Sequence, residues 1–285
     1  MAPGPRRDGR GRTLKTLDNA IVLRTASSAP TMPSLSRFIE DVSAVVPTAG
    51  RSLEVDQLPD GRTSLVFRVF EEGRQGDVAV VGPRTRAVFK NATGVARAVV
   101  VRFKPGWSIS LLGITANALT DQIVMLEDIW GRAGAELAAE LLTARNLTEL
   151  IDRLSQAIAL RALQTLEPAS ARLARRAVRL LEGEEVRVAN VAKRLGVTSR
   201  HLRRAFIEGV GVGPKDFART VRLQRAIRYA ETSSDWGRIA ADTGYYDQSH
   251  LIADFRQLLG LTPNAFLRRV GDRGVRQMSD VSLAG

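Results

Sequence analysis

The chain has 285 residues, 44% of them apolar and 25% charged, with a formal net charge of +12, two histidines and no cysteine. That length holds two domains of ordinary size, and the charge favours a polyanionic partner bound in a salt-sensitive way. Disulfides, thiol redox chemistry and cysteine or histidine-rich metal centres are excluded, and no apolar run approaches the roughly 18 residues that cross a bilayer, so a cytoplasmic protein without metal, cofactor or membrane partner is expected.

In chain order, residues 1–36 are rich in Arg, Gly, Ser and Pro, with no apolar core behind the basic start. This pattern argues against a secretory signal and for a flexible basic arm. Residues 37–110 read as short strands. Thr63 to Phe70, Asp77 to Val81, Arg84 to Lys90 and Ala96 to Phe103 are rich in Val and Phe, and Asp60-Gly61, Glu72-Gly73 and Gly82-Pro83 separate them as turns. Strands in series predict a small sandwich or a cupin-like barrel. A pocket inside it, lined by Phe67, Phe103 and Trp107, is the default place for a small-molecule effector, although aromatics in strands are more often plain core.

Beyond Trp107 the period becomes helical. Asn146 with Glu149 three residues on has the form of a capping box, and Leu147, Leu150, Ile151, Leu154 and Ile158 make one stripe. These helices could equally serve a homodimer contact. Glu167-Pro168-Ala169-Ser170 breaks the pattern and marks the link between a sensor or dimerisation domain, residues 37–168, and a C-terminal domain, residues 171–270, with 271–285 as a flexible tail.

The C-terminal domain says one thing twice. Leu202, Phe206, Gly211, Pro214 and Phe217 fall at offsets of 4, 9, 12 and 15 from the first leucine, and Leu251, Phe255, Gly260, Pro263 and Phe266 repeat them, each set preceded by a histidine. Upstream, Val191, Ala192 and Gly196 answer Ile239, Ala240 and Gly244. Each copy builds a short helix, a turn closed by a left-handed glycine, a capped start at Thr198 or Asp247, and a second helix with one apolar face. In the first copy the free face carries Arg200, Arg203 and Arg204, whose guanidinium forks suit guanine acceptors in the major groove. A solvated basic face is the bland alternative for three arginines alone. Between the copies Pro214 opens a helix of roughly sixteen residues, a rod of about 24 Å that can hold two reading helices about 34 Å apart, on successive major grooves.

At these residues the chain resembles the AraC/XylS family of transcription regulators. The stretch from Ile239 to Leu251, followed by Phe255, Gly260, Leu261, Thr262 and Pro263, is close to that family's C-terminal signature, and the likeness covers residues 171–270. It implies a seven-helix DNA-binding domain with two helix-turn-helix units joined by a long helix, acting as an activator or dual regulator together with RNA polymerase. By position, Arg200 and Arg204 match base-contacting residues of the first reading helix, and Gln248, Ser249 and Ala253 those of the second. Ala253 departs from the basic or polar side chains common there.

The sequence therefore predicts an α+β protein of two domains, β-rich with following helices and then all-α. Base contacts are assigned to Arg200, Arg203, Arg204, Gln248, Ser249, Ile252 and Ala253, and backbone contacts to Lys193, Arg194, Thr198, His201, His250 and Arg256. The expected partner is double-stranded DNA. A non-specific architectural binder would need charge but no duplicated cap and turn. An enzyme is disfavoured by the lack of a phosphate-binding glycine loop, a metal cluster or a nucleophile set outside the repeat.

Overall fold

Alternation builds the first core. Along Ser64–Phe70 every second side chain, Leu65, Phe67 and Val69, is buried, as expected for a strand with one face on a core. The computed structural model describes residues 13–17, 20–24, 35–47, 53–70, 75–183, 187–230 and 233–270. Among them the strands are β1 (Thr13–Leu17), β2 (Ala20–Arg24), β3 (Ile39–Pro47), β4 (Leu53–Gln57), β5 (Ser64–Phe70), β6 (Gly76–Val81), β7 (Val88–Ala92), β8 (Val95–Phe103) and β9 (Ile123–Met125). Helices α1 (Ser108–Leu112), α2 (Leu126–Trp130), α3 (Arg132–Leu142) and α4 (Leu147–Gln164) belong to the same half.

Seven strands form one antiparallel sheet in the order β1-β2-β3-β8-β5-β6-β9, and β4 pairs with β7 as a separate ribbon. Leucines from the helices close over the sheet: Leu111 and Leu112 of α1, Leu126 of α2, Leu137 and Leu141 of α3, and Leu150 and Leu154 of α4 share its core. The start of α4 is capped as its sequence predicts, with Asn146 accepting from the Glu149 amide at 2.9 Å. Glu149 reaches back to the Arg145 amide at 2.9 Å, and that bond holds its carboxyl below the usual carboxylate range. At its other end α4 leaves Leu160 and Leu163 exposed, with Leu166 beyond it exposed as well.

Two features of this half differ from the sequence reading. β1 and β2 lie within the segment read as a flexible arm; they add to the edge of the sheet at β3, and an open edge offers backbone partners that composition does not reveal. The other residues of that arm, up to 34, and the tail 271–285 lie outside the described residues. The strand expected over Arg84 to Lys90 starts only at Val88. Its first part bonds elsewhere: Arg84 donates to Gln57 Oε1 at 2.8 Å and the Ala87 amide to the Leu258 carbonyl at 2.7 Å, so no ladder forms there.

The second half is helical: α5 (Ala169–Glu182), α6 (Val188–Arg194), α7 (Ser199–Val210), α8 (Pro214–Tyr229), α9 (Trp236–Asp242), α10 (Gln248–Leu259) and α11 (residues 263–270). It holds two cores. One gathers Ala174, Val178, Val191, Leu202, Phe206 and Phe217, the other Leu223, Ile239, Leu251, Phe255 and Phe266. Phe206 meets Phe217 edge-on at 5.3 Å, and Phe255 meets Phe266 edge-on at 6.0 Å, so the duplicated residues make duplicated contacts. α8 spans both cores, with Phe217 in the first and Leu223 in the second.

Candidate nucleic-acid interface

The first unit begins with α6, whose inner face buries Val191 and Ala192. The chain turns at Gly196, which takes a left-handed φ of +69°, and Thr198 then accepts from the His201 amide at 3.1 Å to cap α7. The inner face of α7 buries Leu202, Ala205, Phe206, Gly209 and Val210. Gly209 is needed there, since a methyl at that position would lie 2.7 Å from the Ala174 side chain of α5. With that face fixed, helical spacing leaves Arg200, His201, Arg203 and Arg204 exposed, alongside the exposed Lys193, Arg194 and Thr198. Among the described residues neither Arg200 nor Arg203 meets an acidic side chain, and Arg204 has only Glu208, 3.8 Å away and one turn on. The surface is thus a free guanidinium ridge.

The second unit repeats the geometry with different chemistry. Asp235 caps α9 by accepting from the amides of Gly237 and Arg238, Gly244 turns at φ +79°, and Asp247 caps α10 by accepting from the His250 amide at 2.7 Å. Gln248, Ser249, His250, Ala253 and Arg256 are exposed, whereas Ile252 is half-buried against the second core. The turn is one residue longer than in the first unit, and the added length presents Tyr246 at 94% exposure just before the cap. Tyr246 is missing from the residues assigned by sequence. Its signal was the change of offset between the copies, 48 up to the turn glycine and 49 after it.

A second missed feature lies on the inner face of α10. Asp254 occupies the place of Ala205 in the first copy and is 1% exposed. Its Oδ1 accepts from Arg219 Nε of α8 at 2.5 Å, and Arg222 Nη2 lies 3.7 Å from Oδ2. Arg219 also donates to Gln257 at 2.6 Å, and the Arg222 guanidinium stacks 4.6 Å from the centre of the Tyr245 ring. Burial, with Asp254 beside it, pushes the Tyr245 hydroxyl above its ordinary range, so it stays protonated. Both reading helices share apolar cores with the connector, and the second is fastened to it by buried charge as well.

The aromatics assigned to an effector pocket are placed otherwise. Phe67 and Phe103 are fully enclosed in the sheet core. Trp107 lies on the seam between the halves, where Arg175 of α5 stacks 3.7 Å from its ring and donates to the Gly106 carbonyl at 3.2 Å. Burial lowers the Arg175 pKa, and its ion pair with Glu167 opposes that shift. Among the described residues no group of three or more His, Cys, Asp or Glu side chains is placed to hold a metal ion, and no helix is long and apolar enough to cross a membrane.

Residues 191–269 match the family described as a helix-turn-helix domain, and residues 28–125 match a domain of unknown function (DUF6597). The HTH-type transcriptional regulator GlxA of Rhizobium meliloti (strain 1021) is 37% identical over 82 residues, covering 28% of this chain. The chain spans only 25% of the length of that relative. Among solved structures, ToxT from Vibrio cholerae aligns over 76% of this chain and 98% of its own at 10% identity, with a TM-score of 0.40. The AraC-like transcriptional activator CuxR aligns over 77% of this chain and 80% of its own at 15% identity, with a TM-score of 0.20. With the duplicated turns, caps and cores in place over the matched residues, residues 191–269 form a helix-turn-helix domain of the kind the matching family describes.

Proposed function

We propose that the protein is a sequence-specific DNA-binding transcription regulator, with residues 171–270 reading DNA and residues 37–168 acting as a sensing or dimerising domain. One observation carries the reading: Arg200, Arg203 and Arg204 stand exposed on a helix whose other face is locked into a core, in a unit whose turn and cap geometry is repeated by α9 and α10. In this reading α7 and α10 enter successive major grooves and Arg200, Arg203 and Arg204 address guanine edges. Gln248, Ser249 and Ala253 make the weaker base contacts. Ile252, half-buried, serves the core more than the groove. Lys193, Arg194, Thr198, His201, His250 and Arg256 contact phosphates.

Activation through RNA polymerase, effector control and homodimerisation belong to the same proposal. Trp107 is the aromatic through which a signal in the N-terminal half would reach α5, because Arg175 rests on it. Leu160, Leu163 and Leu166 supply the apolar surface for a second copy. The test is selection of duplexes from a random pool by the full chain at physiological salt. Enrichment of a bipartite motif supports the proposal, and a flat profile returns the protein to charge-driven, non-specific binding.

A further inference from the structure

The N-terminal half touches each DNA-reading unit separately, at the ends of the reading helices that face away from the assigned base contacts. At the first unit, Thr120 donates its hydroxyl to the carbonyl of Gly211, the residue that closes α7, at 2.8 Å. The fit is tight, since a methyl on Gly211 would sit 2.8 Å from Pro83 Cγ and 2.9 Å from the Ala116 carbonyl oxygen. At the connector, Gln224 of α8 donates to the Pro59 carbonyl at 3.1 Å, and Gly61 lies so close to the Phe217 ring that a methyl there would be 2.7 Å from it. At the second unit, the Ala87 amide donates to the Leu258 carbonyl near the end of α10 at 2.7 Å. Leu58 and Ala87 pack on that unit's core, and Arg269 of α11 pairs with Asp56 at 3.0 Å while stacking 4.5 Å from the Phe89 ring.

These grips have one property in common. The first unit is held by the loops around Gly61, Pro83 and Thr120 and the second by the β4–β7 ribbon, a pair apart from the main sheet that is joined to the Pro83 loop where Arg84 donates to Gln57 Oε1 at 2.8 Å. An ion pair, hydrogen bonds and apolar contacts therefore tie both reading helices to the same body, over and above the connector α8. The reading faces stay exposed throughout. From this juxtaposition we infer that the N-terminal domain is a brace that fixes the separation and relative turn of α7 and α10, and so determines which spacing between two half-sites the protein accepts. The inference rests on the DNA-reading proposal above. Moving one half-site by a single base pair shifts it by about 3.4 Å along the duplex and by about 35° around it, which a braced reader cannot follow without breaking contacts.

The experiment uses the full chain and duplexes carrying the two selected half-motifs at the selected spacing, or with one or two base pairs added or removed. Duplexes with the first half-motif alone serve as reference. The wild type should lose about tenfold or more in affinity for each base pair of altered spacing. Thr120→Val and Asp56→Asn, combined, release one grip on each unit while changing few atoms, and should flatten that loss to about threefold or less with unchanged affinity for the single half-motif. Arg269→Met, which frees only the second unit, should flatten the profile in the same direction. Thermal melting of each variant reports its folding, and a variant that melts with the wild type yet keeps the wild-type spacing profile overturns the inference alone. Equal losses on single and paired half-motifs also overturn it, since that is the mark of general damage. A wild type that enriches no sequence overturns the DNA-reading proposal and the brace with it.

Discussion

Arg219 donates to Asp254 at 2.5 Å across the seam between the connector and the second reading helix, with side-chain exposures of 23% and 2%. A carboxylate so enclosed is tolerable only with its cations in place, and the cations depend on it in turn. Asp254→Ala should lower stability by about 2 to 4 kcal/mol, because Arg219 and Arg222 are left without their counter-charge. Replacing all three residues with apolar side chains of similar volume should recover most of the loss. Urea denaturation of the single and triple variants checks both statements. A loss under about 0.5 kcal/mol in the single variant would show the pair to be no more than a surface contact.

Contacts to bases and contacts to phosphates are separable by their sequence dependence. Arg204→Ala should cost about 1 to 3 kcal/mol on the selected site and relax preference at one base pair. Lys193→Ala should weaken all duplexes alike and reduce the salt slope by about 1. The first half-motif should carry more information than the second, since α7 presents three exposed arginines where α10 presents Gln248, Ser249 and Ala253. Affinity measurements over single-base variants at two salt concentrations decide these points.

Gly211 and Gly260 close the two reading helices in the same left-handed conformation, at φ +89° and +69°. Their surroundings differ. Among the described residues nothing lies within 4 Å of a methyl placed on Gly260, while one on Gly211 strikes Pro83, Thr120 and the Ala116 carbonyl. Gly260→Ala should cost about 1 kcal/mol, the conformational penalty alone. Gly211→Ala should cost distinctly more, and thermal denaturation that ranks the two in the opposite order would contradict this packing.

Burial raises the Asp60 carboxyl above the usual carboxylate range, outweighing the pull of Arg102 and Arg62. A raised carboxylate binds its proton more tightly in the folded chain, so its contribution to stability is complete below the ordinary value of 3.8 and is lost as pH climbs through the folded value. Glu182, raised by burial as well, acts in the same sense. Asp60→Asn should therefore gain on the wild type as pH goes from about 4 to 7. Denaturant midpoints at the two ends of that range would refute the assignment if the gap stayed constant or shrank.

The repeat was legible because its parts are local. Gly196, Gly244, Pro214, Thr198 and Asp247 each do in the structure what their residue type dictates within a few positions, and Leu202 and Phe206 need only helical spacing to find one face. The helix capped by Asn146 was readable on the same grounds. What escaped depends on partners far along the chain. Residues 84–87 look like strand until the carbonyl of Leu258 takes the amide of Ala87, and β1 and β2 look like arm until β3 offers an edge. Phe67 and Phe103 could line a pocket or fill a core by composition alone, and only the surrounding leucines and valines decide for the core. Asp254 carries a local signal, since it stands where the apolar stripe of α10 requires a hydrophobic residue.

The exchange of Ala205 for Asp254 between the two copies has a bearing on how such proteins can be rebuilt. Grafting the α7 sequence into the place of α10 would set a methyl group before Arg219 and Arg222, and the reverse graft would put a carboxylate at the buried position of Ala205, on the face of the helix that packs on the core of Ala174, Val178 and Phe217. The halves share an outline yet have ceased to be interchangeable parts. Re-engineering of target preference must therefore proceed by altering outward side chains in place, since wholesale swapping of recognition helices would break the wiring behind them.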